Sequence, residues 1–253
     1  YGDHRDLHSS LHDALPIYGQ PLDFARDFMT PFLKEFVRHI RSVDSNATIF
    51  IEYADRPVLW TKEEAKNIVY APHWYEPVAL MLKRYLPWVT FDQEGKKIVL
   101  GRGKVRKQMV KELARFKEQS RLMLGEMPVL IGETGIAYDM QKGKAYNTGD
   151  FTAQTKAMAR LIRALEKNFL NFTLWNYTAD NTNERGDGWN GEDLSIFSLS
   201  QQQDPQDINS GGRALEALVR PWPRKVAGEP VKIKYNLKSK KFSFRFRQEP
   251  GLD

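Results

Sequence analysis

The stretch PVLIGETG, residues 128–135, decides the fold prediction. Its apolar run predicts a buried strand, and Glu133 follows a glycine at the point where that strand ends. Segments with helical spacing of apolar residues lie on both sides, at about 103–124 and 151–167. Strands that alternate with helices predict a parallel β/α sheet or barrel, and such folds build their sites just past the carboxyl ends of the strands. We therefore expect Glu133 at a functional rim.

Two other apolar runs deliver polar or aromatic side chains at their ends. NIVYAP (67–72) is followed by His73 and Tyr75, and FTLW (172–175) ends at Trp175. The carboxyl ends of parallel strands meet at one edge of a sheet, so we expect these side chains on one rim. A carboxylate, an imidazole, a phenol and an indole gathered there are typical of a site that cleaves sugars.

Composition excludes several classes of protein. The chain has 253 residues, of which 41% are hydrophobic, so it is long enough to bury a sizeable core. It has no cysteine, which excludes disulfides and thiolate metal sites, and its five histidines lack ligand spacing, so we predict no metal and no cofactor. No apolar run approaches the roughly 20 residues that span a membrane, and no signal peptide is visible.

Basic residues are concentrated near the C-terminal end. Between Arg220 and Arg247 the chain has ten lysines or arginines and one acid, Glu229. This bias fits nucleic acid or an anionic membrane as a partner. However, apolar and basic residues alternate in VKIKY (231–235), which is typical of a strand with one solvated face. We favour the solvated face and predict no nucleic-acid partner.

The chain divides into three parts. Residues 1–17 have neither helical nor strand period and resemble a translated sequencing adapter, so we expect a non-native segment there. Residues 18–224 carry four β/α units, which is half of an eight-fold barrel. Residues 225–253 switch to a basic hairpin. Because half a barrel exposes sheet edges, we expect the chain to be truncated at its N-terminal end. The β segment has too few strands to form a sandwich, so we expect truncation at the C-terminal end as well.

The individual elements follow from periodicity and turn residues. The predicted strands lie at 48–53, 67–72, 128–132 and 171–177, with shorter helices at 77–85 and 211–219 and a hairpin at 89–100. A long polar loop, 178–193, is either a set of sugar ligands or a self-bonded turn network, and the sequence leaves both open.

Longer motifs resemble one family of enzymes. The stretches that carry the resemblance are YAPHWYEP (70–77), LIGETGIAYDM (130–140), LWNYTADNTNERGDGWNGEDLSIFS (174–198) and RPWPRKVAGEP (220–230). They look like glycoside hydrolase family 5, and in particular its endoglycoceramidase-related branch, which cleaves β-glucosides of ceramide or sterol. The resemblance implies an α/β fold, the C-terminal half of a (β/α)8 TIM barrel with strands 5 to 8, followed by the start of a C-terminal β-sandwich.

The resemblance also implies residue roles in a retaining glycosidase, which needs two carboxyl groups about 5–5.5 Å apart. Glu133 matches the nucleophile, and Tyr75 would donate a hydrogen bond to it. His73 would orient that pair or contact the sugar, and Trp175 would form the platform under the sugar. The further expected substrate contacts are Asn176, Asn181 and Trp189.

The chain departs from the family at the second carboxylate. The family's acid/base is a glutamate in an Asn-Glu-Pro motif, which this sequence lacks. Glu76-Pro77 has no preceding Asn and follows a different strand, and Glu52 is a weak substitute. We therefore expect the acid/base upstream of this chain and expect the chain to be inactive by itself.

Three functions remain open from the sequence. The first is cleavage of a β-glucosidic bond in a glycolipid-type substrate, glucosylceramide or a steryl glucoside, at a membrane surface. The second is an endo-β-glucanase of the same family, and the third is a catalytically inactive carbohydrate-binding module. The oligomeric state stays open, and a secreted or membrane-associated location is slightly preferred to the cytoplasm.

Overall fold

A computed structural model of the chain describes residues 22–53, 57 and 59–251. The predicted non-native segment, residues 1–17, lies outside the described residues. The chain divides into two compact units, which are Tyr1–Pro72 with Lys117–Val129 and His73–Phe116 with Leu130–Asp253.

The first unit contains a helix and a pair of parallel strands. A π-helical turn, Ala25–Met29, leads into helix α1, Thr30–Val43. Strands β1, Ile49–Ile51, and β2, Ile68–Tyr70, pair in parallel. Their isoleucines are buried, as expected of short β-branched runs inside a β/α protein. Both predicted strands are thus confirmed.

The second unit contains most of the helices. They are α2 (Pro77–Met81), α3 (Arg102–Met123, whose last residues belong to the first unit), α4 (Met140–Thr148), α5 (Thr152–Lys167) and α6 (Leu215–Leu218). The two long predicted helices are confirmed as α3 and α5. Helix α5 buries Met158, Leu161 and Leu165, which recur at helical spacing and form its core face.

Two strand pairs lie between these helices. Strands β3, Val89–Asp92, and β4, Lys97–Leu100, form the predicted antiparallel hairpin. Strands β5, Leu130–Thr134, and β6, Asn171–Leu174, pair in parallel. The parallel pairing brings the carboxyl ends of β5 and β6 to the same edge, where the candidate site lies.

A basic hairpin follows α6. Strands β7, Gly228–Tyr235, and β8, Phe242–Gln248, pair antiparallel. Lys232 and Lys234 are exposed while Ile233 is partly buried, as the period-two alternation predicted.

Two predicted helices are shorter than expected. The helix predicted over 77–85 ends at Met81, and Lys83 then adopts a φ of +48°, which no right-handed helix accommodates. The helix predicted over 211–219 begins only at Leu215, because Ala214 has a φ of +54°. Apolar periodicity does not reveal a residue with positive φ when that residue is not a glycine. The sequence therefore overestimates the lengths of both helices.

The strands that the structure describes form four two-stranded sheets rather than a closed barrel. The α/β class is confirmed. The described C-terminal residues form one hairpin, so the β-sandwich stays a prediction.

Candidate active site

Glu133 is held at the end of β5 by backbone and side-chain contacts. A parallel bridge joins His73 to Glu133, and the N–H of Trp74 donates to the Glu133 carbonyl at 2.9 Å. The Tyr75 hydroxyl donates to Glu133 Oε1 at 2.7 Å. The expected hydrogen bond is therefore present, between side chains 58 positions apart in the sequence.

His73 lies on the other side of the same carboxylate. Its Nδ1 is 3.5 Å from Glu133 Oε2. The His73 side chain is 44% exposed and that of Glu133 25%, so both are reachable from solvent. Each carboxylate oxygen of Glu133 thus has its own neighbour, and the carboxylate plane has a defined orientation.

Tyr75 is fixed in its neutral form. Burial raises the pKa of Tyr75 above its ordinary value, and the hydrogen bond to Glu133 raises it further. The phenol therefore stays protonated and acts as a donor toward the carboxylate.

Trp175 follows β6 next to the end of β5. Its N–H donates to the Thr134 carbonyl at 2.8 Å, and its own carbonyl lies so close to Gly135 that a Cβ there would be 2.3 Å from the oxygen. Only glycine permits this approach. The Trp175 ring is half-buried, and the Trp175–Asn176 peptide bond is cis.

The loop after β6 is organised around a buried arginine. Arg213, 1% exposed, donates to both carboxylate oxygens of Asp193 and to the carbonyls of Ser195 and Phe197. The Tyr146 hydroxyl also donates to Asp193. The C-terminal end of the predicted polar loop is therefore held by a hydrogen-bonded network that includes residues outside the loop, which favours the network over the sugar ligands among the two alternatives.

This network corrects the expectation for Asn181. Its side chain has no exposed surface, its Nδ2 donates to Asp193 Oδ1 at 2.9 Å, and its Oδ1 accepts from Arg213. A side chain without exposed surface cannot contact a sugar in this conformation. Asn181 therefore supports the loop.

Asn176 and Trp189 differ in their surroundings. Asn176 Nδ2 donates to Asp187 Oδ2 at 3.1 Å, which also accepts from the N–H of Leu194. The second oxygen of Asp187 is buried without a hydrogen-bond partner. Trp189 is exposed on the same loop.

Glu192 is a titratable group of this region, which the sequence singles out only as one of the polar residues of the loop 178–193. Burial raises the pKa of Glu192, and the charges of Asp187 and then Glu133 raise it further, while Lys83 opposes them. Glu192 therefore shares the electrostatic environment of Glu133. Its position depends on the fold of the loop, which periodicity does not reveal.

The two other sequence candidates for a second carboxylate have different surroundings. Glu76 is buried: one oxygen accepts from Ala79 N at 2.8 Å and pairs with Arg160, and the other accepts from Thr90. It is a structural group that caps α2. Glu52 is exposed and belongs to the first unit.

Neither a metal site nor a membrane span is found in the described part of the chain. Its acidic and histidine side chains form no group that could hold a metal ion. Among the described helices, none is both long and apolar enough to cross a bilayer.

A carboxylate at the end of a parallel strand, hydrogen-bonded by a tyrosine and close to a tryptophan, is typical of hydrolases that cleave glycosidic bonds. Comparison with known families agrees: the family described as Cellulase (glycosyl hydrolase family 5) matches residues 19–181, and the glycoside hydrolase family 5 C-terminal domain matches residues 220–253. The chain belongs to glycoside hydrolase family 5, and this membership implies a (β/α)8 barrel architecture.

Individual relatives are similar over most of the chain. A glucosylceramidase of Rhizopus delemar is 31% identical over 91% of this chain, and an ergosteryl-beta-glucosidase of Saccharomyces cerevisiae is 39% identical over 51% of it. The crystal structure of Cryptococcus neoformans sterylglucosidase 1 with tris superposes with a TM-score of 0.85 at 32% identity, over 92% of this chain and 36% of that chain. The chain spans 37% of the Rhizopus relative and 18% of the yeast one.

Proposed function

We propose that the chain is the C-terminal part of a retaining β-glucosidase that acts on a glycolipid-type β-glucoside. The observation that carries this proposal is the carboxylate of Glu133, which stands partly exposed at a strand end with Tyr75 donating to it at 2.7 Å. In this role Glu133 is the nucleophile, and the neutral Tyr75 keeps its carboxylate in one orientation. His73 contacts the same carboxylate or the sugar.

The chemistry needs two carboxyl groups. Glu133 attacks the anomeric carbon, and the bond from that carbon to the aglycone oxygen breaks while an acid protonates the oxygen. Water then displaces Glu133 from the sugar, and the former acid takes its proton. The described residues offer no second carboxylate hydrogen-bonded beside Glu133, so we place the acid/base in a preceding part of a longer protein.

The proposed domain organisation follows the same reasoning. Residues 18–224 would be the C-terminal half of the barrel, strands 5 to 8, and residues 225–253 the beginning of a β-sandwich domain. The match to the family 5 C-terminal domain begins at residue 220, close to this proposed boundary.

Relatives guide the choice of substrate class. The similar curated proteins carry the names glucosylceramidase and ergosteryl-beta-glucosidase, and both names describe β-glucosides with a lipid aglycone. We therefore prefer a glucosylceramide or steryl glucoside to a polysaccharide. In this proposal Trp175 stacks under the glucose, and Trp189 and Asn176 line the cleft beside it.

The proposal is tested by covalent labelling of the longer protein that contains this chain. A fluorinated β-glucoside with a good leaving group should add one sugar to Glu133, detected by peptide mass spectrometry. Glu133→Gln should abolish the label and lower turnover of glucosylceramide by several orders of magnitude, because the neutral amide does not attack.

Glu184→Gln, which changes an exposed glutamate in the polar loop, is the matched control and should label like the wild type. A label on another carboxylate contradicts the assignment of Glu133. The absence of an Asn-Glu-Pro sequence in the preceding coding region would instead favour a binding module.

A further inference from the structure

A strongly basic cavity of about 500 Å³ lies in the second unit, and none of the candidate active-site residues lines it. Helices α3 and α5 form two of its walls, and the β7–β8 hairpin forms another. Eight lysine or arginine side chains line it, and the described lining contains no carboxylate.

Arg160 is one of two arginines that are already compensated. It pairs with Glu76 at 3.1 Å, donates to the Leu86 carbonyl, and lies 4.9 Å from the ring centroid of Tyr85. Its Nε is buried and has no hydrogen-bond partner. The cavity wall therefore contains a buried guanidinium that its three contacts hold in place.

Arg220 repeats this arrangement on the side of the hairpin. It pairs with Glu166 at 3.0 Å, donates to the Ala217 carbonyl, and lies 4.9 Å from the ring centroid of Tyr235. Two arginine–tyrosine stacks thus support the cavity from two elements, α5 and β7, and hold their guanidinium planes in place.

The other six cations lack such close partners, although Lys156 interacts electrostatically with Asp150. These six, which form no ion pair within the described part of the chain, are Arg102, Arg106, Lys156, Arg163, Lys234 and Lys238. Like charges gathered around one cavity repel each other, and a bound anion of several charges relieves that repulsion. Arginine donors match the geometry of phosphate oxygens in particular.

Exposed apolar side chains lie on and next to the β3–β4 hairpin, which leads into α3. Trp88 is 52% exposed, Ile98 69% and Leu100 57%. The N–H of Gly101 donates to the Trp88 carbonyl at 2.7 Å, which joins this apolar patch to the start of α3, where Arg102 lines the cavity. Cations beside exposed tryptophan and aliphatic side chains are the combination found on surfaces that lie on anionic membranes.

We propose that this cavity binds a lipid head group that carries more than one phosphate, and that the apolar patch of Trp88, Ile98 and Leu100 enters the bilayer interface beside it. The site goes beyond the proposed catalytic function, since it does not involve Glu133. A volume of about 500 Å³ lies in the range of small-ligand sites and accommodates a phosphorylated inositol ring.

The direction of the helices is compatible with a joint role for both sites. Helices α3 and α5 each lead into the next strand, β5 and β6, so each begins at the end of the fold where those strands finish. Arg102 and Lys156 lie in the first two turns of their helices, on the same end as Glu133. A bilayer that contacts the cavity would thus present its glycolipids toward the rim of the candidate active site.

The test is sedimentation, with vesicles, of the longer protein that contains this chain. Vesicles of phosphatidylcholine with phosphatidylinositol bisphosphate should retain the chain, and phosphatidylcholine alone should not. Phosphatidylserine at equal total charge should retain it at least about tenfold less, because one phosphate engages fewer of the six unpaired cations. Equal retention by the two kinds of anionic vesicle would mean that binding depends only on total surface charge, and it would overturn the proposal.

Variants locate the site. The test variant replaces one cation from each wall, with Arg106→Ala in α3, Arg163→Ala in α5 and Lys234→Ala in β7. Its affinity for the bisphosphate vesicles should fall on the order of 100-fold, at about fivefold for each basic residue. The matched control removes the same charge from α3 and the hairpin outside the cavity lining, with the replacements Lys104→Ala, Lys232→Ala and Arg245→Ala.

The control should lose less than about fivefold in affinity. Equal losses in the two triple variants, with native circular dichroism in both, would overturn the cavity as the site. Soluble inositol trisphosphate distinguishes a membrane head group from a free phosphate compound. If it displaces the protein from bisphosphate vesicles only at high concentration, so that the vesicles bind more tightly, the result supports a membrane head group. Tight binding of the soluble compound without any vesicle binding would overturn it.

Discussion

The carboxylate of Glu133 has a different neighbour on each oxygen, Tyr75 Oη on one and His73 Nδ1 on the other. In its proposed role as nucleophile Glu133 must present a lone pair in a fixed direction, and the two neighbours restrict rotation of its carboxylate. At the scale of single residues, this pairing was predictable, since side chains at the ends of adjacent parallel strands meet on one rim. The environment of Glu192 was not predictable, because its position depends on the fold of a long loop.

Glu192 offers a test of the electrostatics at this rim. Burial and the charge of Asp187 raise its pKa in the folded state, so the folded protein binds its proton more tightly than the unfolded chain does. Protonated Glu192 therefore contributes to the free energy of unfolding. This contribution is complete below the ordinary pKa of 4.5 and is lost as the pH rises through the pKa of Glu192 in the folded state. Glu192→Gln, which cannot ionise, should therefore raise the melting temperature near neutral pH and leave it unchanged near pH 4, by differential scanning calorimetry.

Glu184→Gln is the control, because Glu184 is an exposed glutamate of the same loop. Its melting temperature should follow the wild type at both pH values. A Glu192→Gln variant that is equally stabilised at acidic and neutral pH would mean that packing, and not charge, limits stability at this position.

At the scale of elements, close contact between strand ends depends on Gly135. A Cβ at this position would lie 2.3 Å from the Trp175 carbonyl oxygen, so Gly135→Ala must displace the end of β6. We expect a loss of about 1–3 kcal/mol in the free energy of unfolding, measured by urea titration. Gly103→Ala is the control: nothing lies within 4 Å of its Cβ, and it lies in the first turn of α3, so it should stabilise the chain by up to about 1 kcal/mol.

The buried pair of Arg213 and Asp193 is the other element-scale feature with a sharp consequence. Arg213→Met leaves the carboxylate of Asp193 buried without its cation, which typically costs about 3–5 kcal/mol. Urea titration should show this loss, and the tryptophan fluorescence of the loop should change. Arg185→Met, which breaks the exposed pair with Asp180 in the same loop, should cost less than about 1 kcal/mol.

A small loss in Arg213→Met, comparable to that of Arg185→Met, would mean that the loop does not depend on this pair. Nothing in the sequence indicated the pair, because Arg213 lies 20 positions from Asp193 and 32 from Asn181. Local turn chemistry predicted a polar loop, and only the fold reveals which arginine closes it.

At the scale of the whole molecule, repeated local patterns were the most predictable feature. The strands at 48–53, 67–72 and 128–132 and the long helices α3 and α5 follow from apolar periodicity, which reports burial directly. The basic cavity could not be predicted in this way, because α3, α5 and β7 contribute residues that are far apart in the sequence. The sequence shows the excess of basic residues after Arg220. It does not show that lysines of the hairpin share a cavity with arginines of α3 and α5.

The last prediction concerns the activity of the 253-residue chain by itself. An acid that protonates the leaving oxygen typically contributes about 10²–10⁴-fold, and the sequence holds no Asn-Glu-Pro glutamate to supply it. We therefore expect no hydrolysis of glucosylceramide or of a nitrophenyl β-glucoside above the background of Glu133→Gln, measured by release of glucose. Hydrolysis at ordinary glycosidase rates would contradict this, and Glu52→Gln would then decide between two explanations. Loss of that activity would identify Glu52 as the acid, whereas its retention would require an acid that the described residues do not reveal.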